Sequence, residues 1–174
     1  MIRQMTQGRN EVMHCIKLLI MDVDGTLTDG QLNIGNDGEM FKSFSIKDGY
    51  AIRNLLPEYN VIPAIITGRA SGIVEHRCKE LGIIHVYQHI ENKLLKLQEL
   101  MWQLSITSNH IAYIGDDDND LEAMKAASLV GCPSDASRKV KSLSNFVSIK
   151  RGGDGAVRDF IEWLIDNEHV HRLS

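Results

Sequence analysis

Cysteine is scarce in this sequence. The three present, Cys15, Cys78 and Cys132, are odd in number and far apart, which fits neither a disulfide framework nor a thiolate metal site and points to a reducing, cytoplasmic setting. Aromatic residues make up only 6%, and 19 Lys and Arg stand against 23 Asp and Glu, a formal charge of −4 with no long basic run. A chain so poor in stacking surface and positive charge is not suited to hold nucleic acid or an anionic membrane surface. No stretch approaches the roughly 18 to 20 apolar residues that a membrane-spanning helix requires. The opening MIRQMTQGRNEVMHC has neither an apolar core nor a small-residue cleavage site, so no secretory signal is visible, and residues 1–15 are expected to form a flexible tail. His76, His85, His89, His110, His169 and His171 share no ligand spacing, and no chemistry is assigned to them. No internal repeat or low-complexity linker divides the chain. Its 174 residues suit one domain, expected over residues 16–166 with a short tail at 167–174.

What the sequence does have is alternation of strand and helix. Ile16 to Val23, IKLLIMDV, is a nearly continuous apolar run, as expected where both faces of a parallel sheet are covered. Val61 to Ile66, Ile83 to Tyr87, Ile111 to Ile114 and Leu129 to Gly131 read as further short strands. Helical patterns lie between them: Ser71 to Leu81, Asn92 to Leu104 with a Leu94, Leu97, Leu100, Met101 and Leu104 stripe, and Asp120 to Ala127, with a last helix over Ala156 to Ile165. This order predicts an α/β fold with a doubly wound, Rossmann-like parallel sheet. Residues 31–46 break the rhythm. Their alternation around Asn36-Asp37-Gly38 predicts a β-hairpin inserted after the first strand. The helix that follows is expected to start at Asp48 as N-cap and to stop at Pro57.

Ligands of open α/β sheets bind beyond the carboxyl ends of the strands. The first strand ends in Asp22-Val23-Asp24-Gly25-Thr26, the second in Thr67-Gly68-Arg69 and the fourth in Gly115-Asp116-Asp117-Asp118-Asn119-Asp120, while Lys93 opens the helix after the third. Carboxylates, a hydroxyl, an arginine and a lysine should therefore gather along one edge. Such a set suits a phosphate and a hard divalent cation. Magnesium takes oxygen ligands, which Asp22, Asp116 and a backbone carbonyl at Asp24 could supply, and without a cation the crowded carboxylates would repel one another.

DVDGT, ITGR, NK and GDDDND, in this order and on these elements, closely resemble the four motifs of the haloacid dehalogenase superfamily of phosphatases. The resemblance implies that Asp22 is a nucleophile forming an aspartyl-phosphate and that Asp24 is the acid and then the base. It implies that Thr67 holds a phosphate oxygen, that Lys93 neutralises the transferring group, and that Asp116 binds Mg2+ with Asp117 or Asp120 in support. Two carboxylates one residue apart at a strand end then serve two depths of one site. Only 37 residues separate Asp29 from Thr67, which leaves no room for a cap domain. DVDGTLTDG, the hairpin GNDGEMFKSFSIKDGYAI and a late RGGDGAVRDF narrow the likeness. They are similar to the 3-deoxy-D-manno-octulosonate 8-phosphate phosphatases and nearly as similar to the nonulosonate, sialic-acid-type 9-phosphate phosphatases. That family likeness implies a cytoplasmic homotetramer with its hairpins at the centre, a sugar-acid phosphate substrate, Asp48, Gly68, Arg69 and Asn119 in contact with it, and Arg151 to Gly155 in a mobile tail. The same domain resembles a module of some sialic-acid cytidylyltransferases, in which a non-catalytic role is the alternative. A phospho-accepting receiver domain would need an aspartate at the end of the third strand, where Ile83 to Gln88 has none.

Overall fold

In the computed structural model, which describes residues 15–172, the chain alternates strands and helices in the order expected. Strands β1 (Leu18–Met21), β4 (Ile62–Ile66), β5 (His85–Tyr87), β6 (Ile111–Ile114), β7 (Leu129–Cys132) and β8 (Phe146–Val147) form one parallel sheet, in the order β5-β4-β1-β6-β7-β8. From β1 the chain builds outward through β4 and β5, then returns to β1's other side for β6. The strand order thus reverses beside β1, and the crevice at that reversal is where such sheets bind ligands.

All four residues of β1 are buried. Successive side chains of a strand point to opposite faces, so Leu18 and Ile20 enter one apolar layer and Leu19 and Met21 the other. The first layer packs against α4 (Lys93–Leu104), α5 (Leu121–Met124) and α6 (Arg138–Leu143). Leu97 and Leu100 of the expected stripe are its buried centre, with Leu94, Met101 and Leu104 at its margin. Trp102, on the same helix, stands exposed. The second layer packs against α3 (Gly72–Leu81), α7 (Ala156–Asp166) and the helix that follows the hairpin.

That helix runs as α1 (Ile46–Tyr50), a π turn (Ala51–Leu55) and α2 (Leu56–Glu58). Its N-cap is Ser45, whose hydroxyl accepts the N–H of Lys47 at 3.2 Å, and not Asp48. Pro57 does not end the helix at once. The Leu56 N–H reaches back five residues to the Ala51 carbonyl; such a wide turn accommodates the following proline, which has no N–H to donate and would clash in a regular α turn. The hairpin is shorter than expected, with β2 (Asn33–Gly35) antiparallel to β3 (Gly38–Phe41).

Three features were not expected. Strand β8 is only two residues long and helix α6 only six, too short for either to show a period. Residues 167–172 are also not a loose tail. The His169 carbonyl accepts the Ile16 N–H at 2.8 Å, and Val170 is buried in the second layer. The expected N-terminal tail lies, but for Cys15, outside the described residues. Among the described residues no helix is long and apolar enough to cross a membrane.

Candidate active site

At the carboxyl edge of β1, β4 and β6 lies a cleft of about 130 Å³ lined by Asp22, Asp24, Thr67, Gly68, Arg69, Asp116, Asp117 and Asn119. Parallel pairing puts the three strand ends level. Leu18 registers with both Ile62 and Ile111, and the Asp22 N–H continues the ladder onto the Ile114 carbonyl at 3.1 Å. The loop after β1 is folded tightly on itself, because the Val23 carbonyl accepts the N–H groups of Thr26, Leu27 and Thr28. Gly25 adopts φ +95°, and a β-carbon there would stand 2.1 Å from an Asp116 carboxylate oxygen. Glycine is therefore required for the first and fourth motifs to meet.

Lys93 lies behind this cleft. Its Nζ donates to Asp22 Oδ1 at 2.5 Å and to Asp120 Oδ1 at 2.7 Å, and all three residues are buried. A lysine sealed from water persists only when it is paired. Burial opposes the Lys93 ammonium, but the two carboxylates hold it above its ordinary value. Asp120 is fully committed: Oδ1 also accepts the Tyr113 hydroxyl at 2.8 Å, and Oδ2 faces the backbone N–H groups of Asp116 and Asp117.

Asp22, Asp116 and Asp120 offer oxygens that all lie within 4.8 Å of one another. Burial and the Asp120 charge push Asp22 up to about 8 against the pull of Lys93, and the same two causes push Asp116 up to about 7. Carboxyls so perturbed are fully ionised at neutral pH only with more positive charge than Lys93 supplies. The set fits a hard divalent cation held by Asp22 and Asp116, and Asp120, with no oxygen to spare, orients Lys93 and the loop instead. Thr26 Oγ1 donates to Asp116 Oδ1 at 3.0 Å and fixes that carboxylate's orientation.

The sheet edge thus brings together Asp22, Asp24, Thr67, Gly68, Arg69, Lys93, Asp116 and Asn119. Asp48 is elsewhere. It is buried beneath α7, where Oδ1 accepts the Arg158 N–H at 2.8 Å. As the third residue of its own helix, it faces the N–H groups that open another and have no partner within that helix, which accounts for its position away from the cleft. The segment Arg151 to Gly155 is no mobile tail either. It lies between β8 and α7 and packs on the loop after β1, with the Gly153 N–H donating to the Thr26 carbonyl at 3.1 Å.

The chain matches the haloacid dehalogenase-like hydrolase family over residues 64–161. It is 42% identical to the 3-deoxy-D-manno-octulosonate 8-phosphate phosphatase of Salmonella typhi over 161 residues, 92% of this chain and 82% of the relative. The chain belongs to that phosphatase family. Among solved structures, the family's enzyme from Moraxella catarrhalis, in complex with magnesium, phosphate and KDO, superposes with a TM-score of 0.83 at 40% identity, covering 88% of this chain and 89% of that one. The cobalt-bound deoxy-D-mannose-octulosonate 8-phosphate phosphatase of Haemophilus influenzae gives 0.85 at 35% identity, covering 90% and 91%. Members of the family are phosphoric monoester hydrolases of α/β fold, and the cation suited to the Asp22 and Asp116 pair is magnesium.

Two residues beside the cleft were not foreseen from the sequence, Glu39 and Lys42 at the end of the hairpin. Lys42 Nζ bonds Asp24 Oδ1 and lies 2.8 Å from Glu39 Oε1. Their charges within GEMFKS were the available clue, masked by the apolar alternation that marks the hairpin.

Proposed function

We infer that the chain hydrolyses 3-deoxy-D-manno-octulosonate 8-phosphate to 3-deoxy-D-manno-octulosonate and phosphate with magnesium, through an aspartyl-phosphate on Asp22. The observation that carries this is the buried Lys93–Asp22 pair beside Asp116, in a chain whose relatives act on that ester.

Asp22 attacks phosphorus, forming a bond from its carboxylate oxygen as the bond to the sugar oxygen breaks, and Asp24 gives that oxygen its proton. Asp24 then takes a proton from water as the water attacks the acyl phosphate, releasing inorganic phosphate and restoring Asp22. Lys93 pulls Asp22 toward its ionised form, which a bound cation would complete, and balances the charge of the transferring group, while Thr67 holds a phosphate oxygen. Asp22, Asp116 and the Asp24 carbonyl would hold magnesium, which would supply positive charge against the phosphate. Gly68, Arg69 and Asn119, on the exposed rim of the cleft, bind the sugar acid. Asp48 acts at a distance by anchoring α7.

The chain works as a cytoplasmic homotetramer joined through its hairpins. The exposed side chains of Leu32, Ile34, Met40 and Phe41, gathered on this short hairpin, support that reading, since contiguous exposed apolar surface marks an interface. Borohydride reduction during turnover tests the covalent step: homoserine should replace Asp22, and homoserine at another aspartate, or none, would overturn it.

A further inference from the structure

A carboxylate that first gives and then takes a proton must keep one oxygen available, yet the terminal torsion of an aspartate is soft. The surroundings of Asp24 solve this problem unequally for its two oxygens. Oδ1 receives Lys42, whereas Oδ2 is buried without a hydrogen bond, and Arg69 Nε stands off at 3.7 Å. The two cations also differ in kind. The Arg69 side chain is 49% exposed on the rim of the cleft, and that of Lys42 is 1% exposed and takes no part in its lining.

Lys42 is itself anchored. Burial opposes its ammonium, but the bonds to Asp24 and Glu39 outweigh that and hold it above the ordinary lysine value. Glu39 in turn accepts the Ser71 hydroxyl, which also caps α3. A chain of contacts therefore runs from the N-terminus of α3 through the hairpin to Asp24.

We propose that Lys42 is a positioning residue for Asp24, holding Oδ1 so that Oδ2 is the oxygen that exchanges the proton, with Glu39 and Ser71 holding Lys42. This rests on the reading of Asp24 as the acid and base. It assigns the hairpin a part in the chemistry of its own subunit, separate from any part in assembly.

The leaving group provides the test. An alkyl ester such as the sugar-acid phosphate needs a proton on its departing oxygen, whereas p-nitrophenyl phosphate does not at neutral pH. Lys42→Met should lower kcat for 3-deoxy-D-manno-octulosonate 8-phosphate about tenfold to a hundredfold, part of what acid–base catalysis contributes, with KM little changed. It should lower kcat for p-nitrophenyl phosphate about threefold at most, and Lys42→Arg should recover most of the loss. Glu39→Gln should show the same split more weakly, so the test survives if Lys42→Met fails to fold. Equal losses on both esters, or a rise in KM alone, would overturn the positioning role. A wild-type chain inactive on the sugar-acid phosphate would instead overturn the phosphatase reading beneath it.

Discussion

The backbone of Gly152 lies against the carbonyl of Gly25, so close that a β-carbon at residue 152 would stand 1.9 Å from that oxygen. A segment more than a hundred residues away thus backs the loop that carries Asp22 and Asp24. Packed interiors yield little, so Gly152→Ala should displace that loop. The expected result is a loss of about 1 to 3 kcal/mol in stability and a fall in kcat of about a hundredfold, as for misplacement of a catalytic group by about 1 Å. Thermal unfolding and steady-state rates check both.

Lys93 is the cation on which two buried carboxylates depend. Lys93→Met leaves Asp22 and Asp120 facing each other, and removal of one partner from a buried ion pair costs about 3 to 5 kcal/mol unless the survivors take up protons. The variant should therefore be inactive and less stable than the wild type, with the deficit shrinking as pH falls. A deficit that is flat with pH would place the strain elsewhere.

Magnesium binding should depend on pH with a defined sign. Asp22 and Asp116 hold their protons up to about 8 and about 7, and a cation must displace them. Affinity should rise with pH across that window. Differential scanning calorimetry would show this as a magnesium-induced increase in Tm that is larger at pH 8 than at pH 6.

Asp48 gives a second pH effect, separate from the cleft. Burial raises it to about 6 despite the backbone N–H groups of α7. A carboxyl raised in the folded state gives stability that is fully present below its unfolded value near 4 and is lost as pH climbs through about 6. Asp48→Asn keeps an acceptor for the Arg158 N–H but has no proton to lose. The stability difference between wild type and variant should therefore change between pH 4 and 6, by up to about 3 kcal/mol at about 1.4 kcal/mol per unit, and be flat outside that window.

The hairpin can be tested without touching Lys42. Ile34→Lys with Met40→Lys puts charge on exposed apolar positions, and sedimentation should then show monomers. A tetramer that survives the double substitution would remove the hairpin from the interface.

The sheet, its order of motifs and the cleft residues were legible because each rests on local pattern: an apolar run ending in Asp22, the leucine stripe of α4, and short motifs that follow the strands. What escaped depends on contacts distant in sequence. Asp48 fits an N-cap by local chemistry, but only the packed fold shows that it serves α7 across 110 residues. Lys42 lies in a stretch whose alternation identifies a hairpin and says nothing of what its lysine meets. The glycines of Arg151 to Gly155 suggest flexibility in isolation, yet here the small size of Gly152 and Gly153 permits close packing.

The decisive property of the enzyme is the ester it prefers. With magnesium present, kcat/KM for 3-deoxy-D-manno-octulosonate 8-phosphate should exceed that for N-acetylneuraminate 9-phosphate by about a hundredfold, about 2.7 kcal/mol of differential transition-state binding. The reverse preference, or no phosphate released from either, would contradict the proposed function.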